Sequence, residues 1–272
     1  MLAAERRLRI KEILGTQRAV TASELARTLE VATTTVRRDL AALDQEGFLV
    51  RSHGGAVSRT SSTSFQPSYE SLLRTNRAEK EAIAQEAAKL ILDGDTVFLE
   101  ASTSVLELAR RLQRRLRLTV VTNSPGVMWL LQHSPGVAVT STGGDLRRDF
   151  LYLCGVWTRR VLSDIRLDKA VLGVTAIDPL YGMSSASHAE AEVKQLLIRA
   201  ARQRIALADH TKFGKQSYAF VGPVTDVDTI VTDAGVDERY VQQLQDKGVQ
   251  VIVAEVTAPG VKKELEVSRD IE

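Results

Sequence analysis

Three threonines and two arginines stand close together near the start of this chain, where their side chains could bind nucleic acid. They are Thr33, Thr34, Thr35, Arg37 and Arg38. Threonine hydroxyls can hydrogen-bond bases or phosphates, threonine methyls can touch the methyl group of thymine, and arginine binds phosphate or guanine. A solvated helix face with ordinary ion pairs is the plainer alternative, because it carries the same residue types. The spacing of the surrounding elements favours contact with DNA.

The two arginines are neighbours on one predicted helix, where successive residues point about 100° apart. The side chains of Arg37 and Arg38 are therefore not expected to point the same way. One is expected to reach bases or phosphates, and the other to lie at the rim of the DNA backbone or to pair with an acidic neighbour. The acidic neighbours are Asp39, Asp44 and Glu46.

Three short helices are predicted to position these residues. Apolar residues at helical spacing, Leu8, Ile10, Ile13 and Leu14, predict a first helix that ends at Gly15. Ser23 is the expected cap of a short second helix. A third helix is expected from about Thr33 to Asp44, with its inward face formed by Val36, Leu40 and Leu43.

Two short extended runs follow the third helix, on either side of a His-Gly-Gly turn, and predict a two-stranded wing. Residues 1–57 are therefore predicted to form a winged helix-turn-helix, a unit whose recognition helix places its first residues against bases in the major groove. The expected DNA contacts are Ser23, Thr33, Thr34, Thr35, Arg37, Arg38, Arg51 and His53.

The charge distribution agrees with a single unit that touches DNA. The net charge of the whole chain is +2, yet residues 1–59 hold ten Arg and Lys against seven Asp and Glu. A small, local excess of positive charge is expected when one module contacts phosphate.

Composition also excludes several classes of protein. No apolar run approaches the ~20 residues that span a bilayer, and the first residues contain no apolar stretch of the signal-peptide type, so we expect a cytoplasmic protein. Cys154 is the only cysteine, which excludes an internal disulfide and a cysteine-based zinc site. Its expected role is that of a small buried side chain. We expect no metal, no cofactor and no catalytic residues.

A serine-rich segment separates this unit from a second, larger one. Residues 58–68 are polar and predict a linker over 58–75. Short apolar runs then alternate with helical patterns over 76–255, which leaves 256–272 as a tail. The predicted strands are 96–99, 118–122, 137–141, 169–174, 204–208, 229–232 and 249–254, and helices are predicted near 78–92 and 105–115. This alternation predicts an α/β domain with a mostly parallel sheet covered on both faces.

Polar residues and glycines follow several of the predicted strands. They are Glu100, Ser102, Thr103, Ser104, Asn123, Ser124, Gly143, Gly144, Asp209 and Lys212. Each cluster alone is explained as a helix cap, a turn or a surface pair. Together they favour a small anionic ligand, because ligands of open α/β sheets bind at the carboxyl ends of strands and phosphate suits a helix N-terminus. Residues 178–188 and 190–192 are expected at the rim.

The N-terminal unit resembles the DeoR family of bacterial transcription regulators. The resemblance lies in Leu25-Ala26, in the run from Thr35 to Leu40, in Gly47, and in His53-Gly54-Gly55-Ala56. One residue departs from the pattern: Ala32 stands where the family has a serine, the natural cap of the recognition helix. Loss of a cap costs about 1 kcal/mol. Thr33 could take over as cap, which would leave fewer threonines for bases.

The larger unit resembles the same family over about residues 75–235, so that the resemblance covers most of the chain. The matching pieces are Asp93-Gly94-Asp95, the run from Thr119 to Ser124, Gly143-Gly144, Asp168-Lys169-Ala170 with Leu172-Gly173, and the run from Ala208 to Gly214. The resemblance implies a sensor domain related to ribose-5-phosphate isomerase that responds to phosphorylated sugars. Glu100 and Ser102 stand where the family has aspartate and glycine. Glutamate lengthens the carboxylate arm by a methylene, and serine in place of glycine narrows the path beside the backbone.

The expected function is that of a homo-oligomeric repressor, a dimer or tetramer, that binds double-stranded DNA and is released by a phosphorylated sugar. Two alternatives stay open. One is a sugar-phosphate isomerase-like enzyme that places an acid and a base around a bound sugar. Its candidate residues are Glu100, Glu190, Glu192, Asp209 and Lys212. The other is a DNA-binding protein whose second domain serves only oligomerisation.

Overall fold

The first part of the molecule is a winged helix. The computed structural model describes residues 2–16, 19–46, 48–52, 54–58 and 69–256. Its first elements are α1 (Ala3–Thr16), β1 (Ala19–Thr21), α2 (Ala22–Thr28), α3 (Thr33–Gln45), β2 (Leu49–Ser52) and β3 (Gly55–Ser58). The predicted wing strands β2 and β3 pair antiparallel, and β1, which was not predicted, adds to the free side of β3.

The core of the winged helix follows the predicted helical spacing with one exception. Val36, Leu40 and Leu43 of α3 are buried as predicted, and so are Ile10 and Leu14 of α1. The placement of Leu8 in the same stripe is wrong, because its side chain is 59% exposed. Leu8 stands two residues before Ile10, about 200° away around the helix.

The cap of α2 is Thr21 rather than the predicted Ser23. Thr21 Oγ1 accepts the Glu24 main-chain N–H at 3.1 Å, and the Glu24 carboxylate accepts the Thr21 N–H at 2.8 Å. This reciprocal arrangement is a capping box, and its sequence signal is a threonine followed three residues later by a glutamate. Ser23 lies in the first turn of α2 with its side chain exposed.

The recognition helix α3 begins without a side-chain cap. Ala32 is its N-cap residue, with extended backbone angles (φ −63°, ψ 143°) and no cap hydrogen bond from its side chain. Thr33 is already the first helical residue and does not replace the cap. All three threonines therefore lie on the first turn of α3.

Residues 69–256 form the predicted α/β domain. Its elements are α4 (Tyr69–Arg74), α5 (Arg77–Lys89), β4 (Thr96–Leu99), α6 (Thr103–Leu112), β5 (Leu118–Thr122), α7 (Pro125–Leu131), β6 (Val137–Ser141), β7 (Asp145–Arg147), β8 (Tyr152–Cys154), α8 (Val156–Asp164), β9 (Leu167–Gly173), β10 (Ala176–Asp178), β11 (Gly182–Ser185), α9 (His188–Ala200), β12 (Ala201–Leu207), β13 (Ala219–Gly222), β14 (Thr229–Asp233), α10 (Glu238–Asp246) and β15 (Gln250–Ala254). Short 3-10 turns occupy His210–Lys212 and Val224–Asp226.

The end of the predicted 58–75 linker is helical, because α4 occupies its last residues. Residues 59–68 and residues 257–272 of the predicted tail lie outside the described part of the chain. Across the described ranges, no helix combines the length and the apolar character that a membrane span needs.

Seven parallel strands form the central sheet, in the order β15-β14-β12-β9-β4-β5-β6. Side chains alternate along each strand, so Val97 and Leu99 pack with α5, α6 and α7 on one face. Phe98 packs on the other face, where it lies in register with Val121 and Ala170 and joins the core beneath α8 and α9. The prediction of a mostly parallel sheet covered on both faces is confirmed.

Two smaller antiparallel units were not predicted. One is the sheet β10-β11-β13, and the other is the pair β7-β8. Their strands are only three or four residues long, too short for periodicity to distinguish them from loops.

The strand order reverses between β4 and β9. From β4 the chain continues outward through β5 to β6, and from β9 it continues the other way through β12 and β14 to β15. The loops that follow β4 and β9 therefore leave toward opposite sides, which opens a crevice at the carboxyl ends of these two strands.

Candidate functional site

The first turns of α3 present a polar, basic face. Thr34, Arg37 and Arg38 are exposed, and Thr33 and Thr35 are half-buried. The buried side chains of α3 form the opposite face and anchor it to the other helices. The helix can therefore lie in a groove without losing its core contacts.

Two acidic neighbours of the α3 arginines, Asp39 within α3 and Glu46 just after it, are neutralised from α1. Asp39 is buried and accepts a hydrogen bond from Arg6 Nε at 2.5 Å, with Arg7 Nε at 3.5 Å. Glu46 lies 3.1 Å from Lys11 Nζ. The expected pairing of an α3 arginine with Asp39 or Glu46 is therefore wrong.

Neither Arg37 nor Arg38 forms an ion pair with any described residue. Both guanidinium groups remain available for DNA. Arg51, in wing strand β2, is also exposed, whereas His53 lies outside the described residues.

A cavity of about 340 Å³ opens at the reversal point of the large sheet. It is lined by residues at the carboxyl ends of three strands. They are Ser102, Thr103 and Ser104 after β4, Gly173 at the end of β9 with Thr175 and Ala176 just beyond it, and Asp209, Thr211 and Lys212 after β12. Lys80 of α5, Glu190 of α9 and Lys215 complete its polar wall. Five of the predicted ligand residues therefore line one cavity: Ser102, Thr103, Ser104, Asp209 and Lys212.

The N-terminus of α6 faces this cavity. Ser102 caps the helix, with its Oγ accepting the Val105 N–H at 3.1 Å. The N–H groups of Thr103 and Ser104, which are the first two of the helix, find no carbonyl within it. A helix N-terminus carries a partial positive charge and suits an anion.

The end of β9 approaches Ser102 so closely that only glycine fits. A Cβ atom on Gly173 would lie 2.3 Å from the Oγ and Cβ of Ser102. The Gly173 N–H donates to Glu100 Oε2 at 2.9 Å. This contact brings the loops that follow β4 and β9 together at the cavity wall.

Asp209 is buried and already engaged. Its Oδ1 accepts Asn76 Nδ2 at 3.0 Å, the Thr211 N–H at 3.1 Å and the Thr211 hydroxyl. Burial opposes ionisation, but Lys212, Thr211 and Asn76 outweigh burial and hold the pKa of Asp209 below its ordinary value. The carboxylate is therefore charged and partly offsets the neighbouring lysines.

Positive charge exceeds negative charge at this end of the cavity. Lys80 is 3% exposed, and its Nζ donates to main-chain oxygens of Leu72 and, at 2.6 Å, Thr75. Burial, reinforced by Lys212 and opposed by Asp209, lowers the pKa of Lys80 to about 8. Partial burial and Lys212 also lower the pKa of Lys215. At this end of the cavity, the three lysines Lys80, Lys212 and Lys215 therefore lie near the single carboxylate of Asp209.

Glu100, one of the predicted ligand residues, does not line the cavity. It is 1% exposed and lies 2.5 Å from Lys194 Nζ, which also lies 3.0 Å from Glu190. Burial opposes protonation of Lys194, but the two carboxylates outweigh burial and raise its pKa above the ordinary value. Glu100 therefore contacts the cavity wall from the protein interior, through Gly173 and Lys194. Glu190 forms part of the wall itself.

Four other predicted residues lie away from the cavity: Asn123, Ser124, Gly143 and Gly144. Asn123 is buried and joins two loops, since its Oδ1 accepts the Ala101 N–H at 2.9 Å and its Nδ2 donates to Leu153 O at 3.1 Å. Ser124 caps α7. A Cβ atom on Gly144 would lie 2.3 Å from Cys154 O, so this glycine permits close backbone packing.

Lys80 and Lys215 were not predicted, although the sequence contains a signal for Lys80. Lys80 shares the buried face of α5 with Ile83, Ala84 and Ala87, at the spacing of one helical stripe. A lysine on an apolar stripe is uncommon unless its charge has a partner or a use. Lys215 follows β12 in an irregular loop, where no periodic pattern marks it.

Comparison with known proteins identifies both halves of the chain. Residues 6–62 match the DeoR-like helix-turn-helix domain, and residues 75–234 match the DeoR C terminal sensor domain. The HTH-type transcriptional regulator YulB of Bacillus subtilis is 36% identical over 96% of this chain and 100% of its own length. The HTH-type transcriptional repressor GlcR of the same organism is 34% identical over 94% of this chain and 98% of its own length.

A further relative is the Glycerol-3-phosphate regulon repressor of Haemophilus influenzae, 32% identical over 85% of this chain and 89% of its own. Among solved structures, ribose 5-phosphate isomerase A of Methanocaldococcus jannaschii is similar over 51% of this chain and 55% of its own. The identity is 16% and the TM-score 0.39, so this likeness says nothing of activity. The match of both domains and of whole relatives shows that the chain belongs to the DeoR family and is a DNA-binding transcriptional regulator.

Proposed function

We propose that this regulator is a repressor that leaves its DNA site when a phosphorylated sugar binds in the cavity at the ends of β4 and β9. The observation that carries the proposal is the meeting of Lys80, Lys212 and Lys215 with the N-terminus of α6 at one cavity. A phosphate dianion suits both lysine ammonium groups and free N–H groups. Thr175 and Glu190 on the cavity wall can hydrogen-bond sugar hydroxyls.

The relatives support both parts of this proposal. The GlcR relative and the Haemophilus influenzae relative are both named repressors. The second is named for the regulon of glycerol 3-phosphate, which is a phosphorylated polyol. A third relative is named a putative repressor of the aga operon of Escherichia coli O157:H7.

The DNA partner of a winged helix is expected to hold two half-sites. Recognition helices of a symmetric oligomer enter the major groove about 34 Å apart, or at multiples of that distance. We therefore propose a homo-oligomer in which each copy contributes the basic face of α3. Sedimentation of the free protein and of its DNA complex measures the number of copies.

The contacts of the cavity carboxylates are those expected of a regulator without enzymatic activity rather than those of an isomerase. Glu190 lies 3.0 Å from Lys194, and Asp209 accepts hydrogen bonds from Asn76 and Thr211. Both carboxylates are therefore already bound by groups of the protein, whereas a general base must be free to accept a proton from the substrate. Incubation of the purified protein with ribose and hexose phosphates is expected to yield no isomer, and product formation would restore the enzyme alternative.

The proposed function is tested by fluorescence anisotropy on DNA from the protein's own promoter region. One phosphorylated sugar of a panel is expected to raise the Kd for DNA at least tenfold, while its unphosphorylated form has no effect. Lys212→Ala is expected to keep wild-type DNA affinity and lose this response. Lys247→Ala, which removes an exposed lysine next to α10, is expected to behave as wild type.

One result would contradict the proposal, and another would identify Lys212→Ala as a misfolded variant. A Kd for DNA that no phosphorylated sugar changes would leave the second domain a purely structural role. Equal loss of DNA binding and of the sugar response in Lys212→Ala would show a folding defect rather than a ligand contact.

A further inference from the structure

We propose that Lys80 and Asn76 couple the cavity to the DNA-binding unit by fastening α4 to the cavity wall, and that a bound phosphate releases α4 by taking the Lys80 ammonium. This inference rests on the proposed function, because it requires an anion in the same cavity. Lys80 and Asn76 act here as positioning residues.

Helix α4 stands where the chain enters the second domain. It is the first described element after wing strand β3, and it precedes α5 directly. Tyr69 and Leu72 of α4 line the same cavity as Lys212. Any ligand of the cavity therefore lies beside the segment that leads back to the winged helix.

Lys80 binds the C-terminal end of α4 from the neighbouring helix α5. The last carbonyl groups of a helix have no partner within it, and a lysine ammonium can satisfy them. Lys80 Nζ donates to the main-chain oxygens of Leu72 and Thr75. The end of α4 is thus held by a charged group that itself belongs to the cavity wall.

Asn76 supplies a second attachment at the junction of α4 and α5. Its backbone is left-handed (φ 50°, ψ 45°), a conformation in which asparagine is several-fold enriched among residues other than glycine. Its Nδ2 donates to Asp209 Oδ1 at 3.0 Å, and Asp209 also lines the cavity. The turn between the two helices is therefore tied to the strand-end loop that carries Lys212.

An anion near Lys212 competes for Lys80. Carbonyl oxygens are neutral acceptors, whereas the oxygens of a phosphate carry negative charge, so a phosphate attracts the ammonium group by a direct coulombic interaction that the carbonyls lack. The lowered pKa of Lys80, about 8, shows that the two carbonyls and Asp209 compensate its charge incompletely. When Lys80 donates to a bound phosphate instead of to the two carbonyls, the C-terminal end of α4 loses its hydrogen-bond donor, and α4 becomes free to move.

Limited digestion of the full chain by trypsin measures this release. Arg74, the last residue of α4, is exposed, and mass spectrometry reports the rate of cleavage after it. In the free protein, Lys80→Met and Asn76→Gly are expected to be cleaved after Arg74 at least fivefold faster than wild type. Asn76→Gly is compatible with the left-handed turn and removes the side chain that donates to Asp209. Lys89→Met, which changes an exposed lysine of α5, is the control and is expected to match wild type.

The ligand arm uses inorganic phosphate and the panel of sugar phosphates. A compound that raises the melting temperature is expected to speed cleavage after Arg74 in wild type and to leave the rate in Lys80→Met unchanged.

Three results would overturn the coupling. Variants cleaved at the wild-type rate would show that the two contacts do not hold α4. A compound that raises the melting temperature without faster cleavage would reject the release step alone. No melting shift with any compound would reject the proposed effector and, with it, this coupling.

Discussion

Two buried lysines show how the same residue type serves different purposes in one domain. Lys194 lies between Glu100 and Glu190, and its charge is fully compensated. Among the described residues, Lys80 Nζ donates only to main-chain carbonyls, with Asp209 nearby. Burying an ammonium group without a carboxylate partner is costly, so the charge of Lys80 is the one that a ligand can stabilise.

The protonation of Lys80 predicts how ligand affinity depends on pH. A sugar phosphate is a dianion above pH 7, so above that pH its own charge stays constant. Lys80 is an ammonium group below its pKa of about 8 and loses its proton above it. Affinity is therefore expected to be level near pH 7 and to fall as pH rises through 8, by up to about tenfold per unit. Titration calorimetry between pH 7 and 9.5 measures this fall.

Lys80→Met is the control for this pH dependence and is expected to show a shallower fall. Some fall is expected to remain because the pKa of Lys215 is lowered as well. Affinity that rises with pH, or an unchanged slope in Lys80→Met, would assign the titration to another group.

Arg38 is predicted to bind DNA because it is exposed on α3 and has no acidic partner among the described residues. Arg38→Ala is expected to weaken operator binding by about 1–3 kcal/mol if it contacts a base, and to lower the salt slope by about one if it contacts phosphate. Anisotropy titrations at several salt concentrations distinguish these contacts. Arg199→Ala, an exposed arginine on α9, is the control. Unchanged affinity and slope in Arg38→Ala would assign the contact to Arg37.

The two helices of the helix-turn-helix begin differently. Helix α2 has the capping box of Thr21 and Glu24, whereas α3 begins at Ala32 without a side-chain acceptor. The uncapped start leaves the first N–H groups of α3 free, at the end of the helix that is predicted to meet DNA. A phosphate of the DNA backbone can accept from them.

Ala32→Ser is expected to stabilise the winged helix by about 1 kcal/mol, because Ala32 already has the extended backbone of a cap residue. Thr21→Ala, which removes the cap of α2, is expected to destabilise it by a similar amount. Urea unfolding followed by circular dichroism measures both. A destabilised Ala32→Ser variant would show that the serine side chain does not reach the N–H groups of the first turn.

The whole molecule contains separate hydrophobic cores. The winged helix packs around Leu25, Val36 and Leu40, and no residue of this cluster belongs to the two clusters on the faces of the large sheet. Separate cores let one half change its relation to the other without unfolding, which a ligand-controlled regulator requires.

Separate cores predict two transitions in scanning calorimetry. Leu25→Ala, at a fully buried position, is expected to lower the free energy of unfolding of the winged helix by about 2–5 kcal/mol. Its transition then moves to a lower temperature, and the transition of the sensor domain stays in place. Leu108→Ala in α6, also fully buried, is the reciprocal control. A sugar phosphate at 100 times its Kd is expected to stabilise only the sensor transition, by about 2.7 kcal/mol. A single transition that all of these changes shift would show one cooperative unit.

Much of the fold was predictable because it follows local rules. The strands β4, β5 and β6 lie at the predicted residues, since buried parallel strands are short apolar runs between helical patterns. The recognition helix was predictable from the spacing of Val36, Leu40 and Leu43. The caps were harder to predict, because Ser23 and Thr21 are both favourable cap residues and the reciprocal bond with Glu24 decides for Thr21.

The sequence alone determined the two domains, the basic face of α3 and the polar strand ends, because each depends on residues close together in the chain. Tertiary structure decided which strand ends meet. The order of the sheet places the loops after β4, β9 and β12 at one cavity and leaves Asn123 and Gly143 outside it. It also brings Lys80 to Lys212 and binds Glu100 to Lys194. These partners lie far apart along the chain, so their meeting depends on the packing of the whole sheet and on no local pattern.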